Sequence, residues 1–229
     1  MSEQLVLDLP HRPAMSADDF LVSACNETAV ELVDAWPQWN QPVQLIEGPG
    51  GCGKSHLANV WRHNSGSTVL EPVQLTAAAI ASYDFGRGVV LEDLDRASFE
   101  EEMLFHVLNL ARERGFNILL TARVPPARWN LELPDLISRL RAVPAAKIGA
   151  PDDMLLGAVL LKHFADRQLN IQPSVLKFLV RRMVRSMDAA RELVAALDLA
   201  ALSTGKKITR QFAGDVLEQL QGPEGSLLD

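Results

Sequence analysis

Eight consecutive residues, Gly48-Pro49-Gly50-Gly51-Cys52-Gly53-Lys54-Ser55, have types and spacing that define a chemistry. They fit G-x-x-x-x-G-K-[ST], a loop that holds a phosphate chain. The glycines let backbone N–H groups turn inward around phosphate oxygens with no Cβ in the way. Lys54 brings a point charge to the β- and γ-phosphates, and Ser55 offers a hydroxyl to Mg²⁺. The ligand this chemistry predicts is ATP or ADP with Mg²⁺.

Such a loop works only between a strand and a helix. Val43-Gln44-Leu45-Ile46 supplies the apolar strand before it, and His56-Leu57-Ala58-Asn59-Val60-Trp61 the helix after it, with Leu57, Val60 and Trp61 on one face. The helix dipole points its positive end at the same phosphates. A second chemical group follows. Val89-Val90-Leu91 is a buried-type strand that runs into Glu92-Asp93. Carboxylates at the C-terminal end of such a strand lie beside the phosphate loop, where they hold Mg²⁺ or orient water. Asp95 reads as a turn residue. Ile118-Leu119-Leu120-Thr121 ends another strand in a hydroxyl. On pattern alone, Thr121 is equally a phosphate or water contact and a β-favouring strand residue.

The remaining elements frame these. A helix is expected from about Asn26 to Trp36, stopped by Pro37. Thr68-Val69-Leu70 gives a second strand, Ala77–Ser82 a weak helix, and Ala145-Ala146-Lys147-Ile148 a fifth strand. Ser98-Phe99-Glu100-Glu101 reads as a capping box for a helix to Arg114, with Met103, Val107, Leu110 and Ala111 facing the core. Leu133–Arg141 is a short helix carrying Arg139 and Arg141. Alternating strands and helices predict a parallel sheet. Gly149-Ala150-Pro151 marks a boundary, beyond which the pattern is helical only: Asp152–Gln168, Pro173–Arg185, Asp188–Leu202 and Thr209–Leu220, a small bundle. Arg191 stands in the first turn of the third of these, against the helix dipole. It is either a surface arginine or one that reaches a phosphate.

At the N-terminus, Gln4-Leu5-Val6-Leu7-Asp8-Leu9 alternates, and Pro10 and Pro13 follow. The residues fit an edge strand or an extended peptide that docks its leucines elsewhere. The composition is that of an ordinary soluble domain, with 48% hydrophobic and 22% charged residues. A net charge of −7 disfavours a protein whose main role is gripping the nucleic-acid backbone. Cys25 and Cys52 fit no metal spacing, which predicts a reducing cytoplasm. No apolar run approaches ~18 residues and no export signal is visible, so no membrane role is expected.

The whole resembles the AAA+ ATPases, and within them the DnaA family, from about Asp19 to Gln221. The likeness rests on Phe20-Leu21-Val22 with Asn26 and Ala29 on the adenine side, and on Val43 through His56-Leu57 around the phosphate loop. It continues with Glu92-Asp93, with Thr121 as sensor I, with Leu136-Ile137-Ser138-Arg139-Leu140 as the arginine-finger box, and with Ala189-Ala190-Arg191-Glu192-Leu193 as sensor II. The resemblance implies an AAA+ phosphate-loop core (20–150) with a five-stranded parallel sheet, an all-α lid (151–221) and a tail (222–229). It implies that Leu21, Val22 and His56 join residues 48–55 and Arg191 around the nucleotide, and that Arg139 acts in a neighbour's site. Self-association is plausible on the same ground.

The departures are informative. After the last helix there is little room for a helix-turn-helix module, and Glu71–Gly88 leaves little room for a single-strand-binding insertion, so no sequence-specific DNA binding is expected. These absences look like the short Hda type of DnaA homologue, which inactivates the initiator after replication starts. Gln4, Leu5, Leu7 and Leu9 are then similar to the motif that such proteins bind to the DNA polymerase III sliding clamp (β subunit), making 1–19 a tether. Glu92 stands where the family puts aspartate. That implies weak or partner-dependent ATPase activity, or bound ADP. An autonomous ATPase and a DnaA-recruiting adaptor with structural nucleotide are the alternative functions.

Overall fold

The computed structural model of the chain describes residues 21–86 and 88–222, which fall into two compact units, 21–149 and 150–222. Gln4, Leu5, Leu7, Leu9 and the tail from Pro223 lie outside the described residues.

In the first unit, α1 (Glu27–Asp34), β1 (Val43–Glu47), α2 (Lys54–Ser65), β2 (Thr68–Val69), α3 (Ala77–Ser82), β3 (Gly88–Leu91), α4 (Glu101–Arg114), β4 (Asn117–Ala122), α5 (Pro134–Arg141) and β5 (Ala145–Lys147) follow one another. The five strands are parallel and ordered β2-β3-β4-β1-β5. The α/β class and the strand count agree with the sequence reading. Every residue of β1 and β3 is buried, as befits a parallel sheet covered on both faces. Side chains alternate between two cores. Leu45, Val89, Leu91, Ile118 and Leu120 pack with α3, α4 and α5. Ile46, Val90 and Leu119 pack with α1 and α2, where Trp61 is fully buried. Trp39 stacks on Trp61 with ring centroids 5.1 Å apart.

One local expectation fails here. The capping box does not form. Helix α4 begins at Glu101 itself, with Glu100 as an N-cap that makes no side-chain bond. The Glu101 carboxylate instead accepts the N–H of Glu132 (2.9 and 3.1 Å) and of Leu133 (2.7 Å). Those donors lead into α5, whose Pro134 start leaves them without helical partners. Two orphan donors draw the carboxylate more strongly than the single N–H of Ser98. Met103 is partly buried and packs against the core that Val107, Leu110 and Ala111 enter as expected, joined there by Leu104 and Leu108. Glu101→Ala is therefore expected to lower stability by about 1–2 kcal/mol, since it strands two backbone donors. Urea unfolding of Glu101→Ala against Glu101→Gln, which retains an acceptor, checks this.

The second unit comprises α6 (Asp153–Asp166), α7 (Pro173–Arg182), α8 (Met187–Thr204) and α9 (Arg210–Gln221). Asp152, Ser186 and Thr209 cap α6, α8 and α9 through their side chains, and Pro173 opens α7. Leu156, Leu160, Phe164, Leu179, Leu193, Leu197 and Leu217 form the core. At its edge, burial pushes the His163 imidazole below its usual pKa, and the Arg167 guanidinium adds to this. A depressed folded-state pKa means that the unfolded chain binds the proton first. Its contribution is intact above the ordinary histidine range near 6.5 and is lost as pH falls through the lower folded value. The unit's melting temperature is expected to drop between pH 7 and 5, and to drop less in His163→Gln. Among the described residues no helix is long and apolar enough to cross a membrane.

Candidate functional site

The phosphate loop leaves the C-terminal end of β1, which lies between β4 and β5. Gly48 begins it, and its N–H donates to the Ala122 carbonyl at 3.1 Å. A methyl group on Gly48 would lie 2.4 Å from the Ile148 carbonyl oxygen and 2.9 Å from Cys52 Sγ, so only glycine fits. Gly51 and Gly53 take φ of 65° and 103°, in the left-handed region where side chains are disfavoured. Helix α2 starts at Lys54, with Gly53 as its N-cap. The Lys54 side chain folds back into the loop, and Nζ donates to the carbonyls of Gly48 (2.7 Å) and Pro49 (2.9 Å). That ammonium is buried and held by neutral carbonyls, so a phosphate oxygen is a stronger acceptor within its reach. Cys52 is buried behind the loop. Burial pushes its thiol up, with Lys54 opposing in part, so it is a neutral packing group at physiological pH. Ser55 and His56 lie on the exposed side of α2.

Leu21 and Val22 are set by Asn26. Its Nδ2 donates to the Leu21 carbonyl (3.0 Å) and its Oδ1 accepts the Ser23 N–H (2.9 Å). Asn26 is the N-cap of α1, which begins at Glu27. The segment is tied to the end of β5 through Gly149 N–H to the Cys25 carbonyl, 2.8 Å.

Glu92 and Asp93 follow β3, one strand beyond β4. Thr121 is fully buried. Its hydroxyl accepts the Asp93 N–H at 3.0 Å, and its carbonyl accepts Leu94 N–H at 3.1 Å. The structure therefore gives Thr121 a definite partner, the acid-bearing turn. Asp93 has φ 51°, a left-handed conformation uncommon outside glycine, and its carbonyl accepts Arg96 and Ala97 N–H. With β4 between them, β1 and β3 stand roughly 9–10 Å apart. At that separation the acids would reach an ion held at the loop through water, which suits Mg²⁺. Among the described residues no group of three His, Cys, Asp or Glu side chains could hold a metal. Ser55, Glu92 and Asp93 fit Mg²⁺ only with phosphate oxygens completing the shell.

Asp95, expected as a turn residue, also braces the strand end, because its Oδ1 accepts the Arg123 N–H at 3.0 Å. Arg123 itself was not singled out by the sequence pattern, although a cation two residues after Thr121 is a signal. Its guanidinium packs against Gly50.

Arg139 lies elsewhere. It is half-buried in the last turn of α5, with its guanidinium 5.7 Å from the centre of the Phe105 ring. It lines a small cavity with Gln41, Pro42, Val43 and Arg112, at the N-terminal end of β1. Nη1 is buried and makes no hydrogen bond. The length of β1 separates it from the chain's own loop, roughly 16 Å. In the second unit, Arg191 is exposed and 3.7 Å from Asp188. Because α8 starts at Met187, Arg191 belongs to the second turn and Asp188 to the first. The expected conflict with the helix dipole is eased accordingly.

Comparison with known proteins places this architecture. Residues 153–217 match the family "Hda, lid domain". An uncharacterised protein of Haemophilus influenzae is 26% identical over 77% of this chain and 82% of its own. The chromosomal replication initiator DnaA of Porphyromonas gingivalis is 24% identical over 95% of this chain, which spans 52% of that relative. Domain III of Thermotoga maritima DnaA superimposes with a TM-score of 0.75 at 19% identity, covering 89% of this chain and 95% of that one. AMPPCP-bound DnaA from Aquifex aeolicus gives 0.66 at 17% identity, over 84% of this chain and 67% of that one. A five-stranded parallel sheet carrying a phosphate loop is thus followed by helices that match the Hda lid family, and the chain is similar over most of its length to DnaA proteins.

Proposed function

We propose that the chain is a negative regulator of replication initiation that binds an adenine nucleotide with Mg²⁺. It docks through Gln4, Leu5, Leu7 and Leu9 on the sliding clamp and presents Arg139 to ATP bound by the DnaA initiator, driving that ATP to ADP. Residues 1–19 are then the clamp-binding segment, 20–150 the nucleotide-binding domain and 151–221 the lid. Residues 48–55, Leu21 and Val22 hold the chain's own nucleotide, with Arg191 contributing from the lid. Glu92, Asp93 and Thr121 stand at its phosphate end. The AMPPCP held by the Aquifex aeolicus relative supports an adenine nucleotide here.

The observation that carries this reading is Arg139. It stands at the N-terminal end of β1, away from the chain's own loop, with an Nη1 that has donor capacity in reserve. A cation so placed serves a phosphate on another molecule. The lid's match to the Hda family supports the same choice of partner. Docking on the clamp raises the effective concentration at DNA already being copied.

The test is hydrolysis of DnaA-bound ATP with this protein and DNA-loaded clamp present or omitted. Stimulation that requires all components is expected. Steady turnover by this protein alone would instead make it an autonomous ATPase. Neither activity, together with capture of DnaA, would make it an adaptor.

A further inference from the structure

We propose that the exposed face of α7, together with the start of α9, binds the phosphate backbone of duplex DNA without reading its sequence. The inference lies wholly within the second unit. It rests neither on Arg139 nor on the phosphate loop, and the residues it assigns are Lys177, Arg181, Arg182 and Arg210.

Charge is distributed unevenly along the chain. Residues 150–222 carry ten Lys and Arg against eight Asp and Glu, a net charge of +2, in a chain whose net charge is −7. The acidic total that disfavours nucleic-acid binding thus belongs to residues outside this unit. Between Asp166 and Asp188 stand five cations and no acid, and between Asp198 and Asp215 three cations and no acid. Two of these eight are committed: Arg167 lies 3.8 Å from Asp198, and Arg185 2.6 Å from Asp153. Lys177, Arg181, Arg182 and Arg210 form no ion pair among the described residues.

Packing brings the unpaired cations together. Val175, Leu176, Leu179 and Val180 turn into the core, so Ser174, Lys177, Arg181 and Arg182 share the exposed face of α7. Lys177 and Arg181 are one turn apart, about 5–6 Å. Arg210 joins them from α9. Its guanidinium lies 5.0 Å from the centre of the Phe178 ring, and that of Arg182 lies 5.2 Å from the same centre. The ring attracts each cation, and so holds side by side two groups that repel each other. Arg210 is also the first residue of α9, where the helix dipole opposes a cation. A row of phosphates relieves both costs. Duplex DNA supplies one, with a negative charge for about every 1.7 Å of its axis. Contacts of this kind fix position and carry no sequence information. Phe178 is no platform for stacking bases: it is half-buried under the two guanidiniums, and a methyl group on Gly214 would lie 3.5 Å from its Cζ. Nor does the exposed face of α7 offer a large apolar side chain to enter a bilayer.

The test is fluorescence anisotropy of a labelled random-sequence DNA duplex titrated with the full chain over a range of NaCl concentrations, with no clamp, initiator or nucleotide present. Wild type is compared with Lys177→Ala/Arg181→Ala and with Arg62→Ala/Arg114→Ala, which removes the same charge from exposed sites of the first unit. Four phosphate contacts predict a slope of log K against log [NaCl] of about −3.6. The Lys177/Arg181 variant should lose about 2 from the magnitude of that slope and bind about tenfold more weakly at low salt. The Arg62/Arg114 variant should stay within about twofold of wild type. All four substituted residues are exposed, so the variants fold, and circular dichroism checks that they do. No duplex binding by wild type at low salt overturns the assignment. So does equal weakening in the two variants, or binding of phosphatidylglycerol vesicles or polyglutamate in preference to the duplex. None of these outcomes bears on the stimulation assigned to Arg139 or on the nucleotide loop.

Discussion

Replacing Arg139 with alanine is expected to reduce the stimulated hydrolysis of initiator-bound ATP by about a thousandfold, the lower end of what arginine fingers contribute in other nucleotidases. The fold should barely notice. The guanidinium stands 5.7 Å from the Phe105 ring, a contact worth about 0.5–1 kcal/mol at a partly exposed site. Against that loss, truncation removes a buried Nη1 that has no hydrogen bond. The two nearly offset, so urea midpoints should agree closely. Arg139→Lys keeps the charge but not the fork, and should recover little. Phe105→Leu tests the parking contact: it should leave stimulation intact or raise it, because the cation is released more easily. Unchanged stimulation by Arg139→Ala would remove the finger from the mechanism, whatever else the protein does.

The largest expected loss of stability comes from a single methyl group. Gly48→Ala places a Cβ 2.4 Å from the Ile148 carbonyl oxygen. That atom cannot step aside as the tip of a flexible side chain would. Ile148 N–H is bonded to the Glu47 carbonyl at 2.8 Å, and Gly48 N–H to Ala122 at 3.1 Å. Relief of the clash therefore pulls β5 or β4 away from β1. A cost of about 3 kcal/mol or more is expected, at the upper end for overpacking. Gly50→Ala is the matched control. Its nearest neighbour is the mobile Arg123 side chain at 3.3 Å, and its cost should stay below about 1 kcal/mol. Equal urea midpoints for the two variants would refute the packing argument.

The contrast between these two glycines shows what a sequence discloses and what it does not. The pattern Gly48-x-x-x-x-Gly53-Lys54-Ser55 is local, so its strand, turn and helix were legible residue by residue. So were β3, β4 and the four helices of the second unit, because burial imposes a period on each. Reasons that lie across the sheet were hidden. Ser98 and Glu101 satisfy a capping box by spacing, yet Glu101 answers to donors more than thirty positions away, as the separations of 31 and 32 record. Arg123 meets Gly50 only because β4 lies beside β1, and Arg139 gains meaning only because its cavity includes Gln41 and Val43. The resemblance assigned roles to Thr121 and Arg139. It did not disclose that Thr121 holds the Asp93 turn or that Arg139 is folded on Phe105.

The Trp39–Trp61 stack has a consequence in spectroscopy. Two indoles with centroids 5.1 Å apart and planes inclined by 12° are close enough for their excited states to couple. Such a pair produces a split signal in the near-ultraviolet circular dichroism and mutual quenching of emission. Trp61 belongs to α2, the helix that Lys54 begins, while Trp39 lies in the segment leading into β1. A rotation of α2 as the loop takes up a ligand would change the coupling directly. The protein thus carries an intrinsic optical gauge of its own phosphate loop, readable without any label.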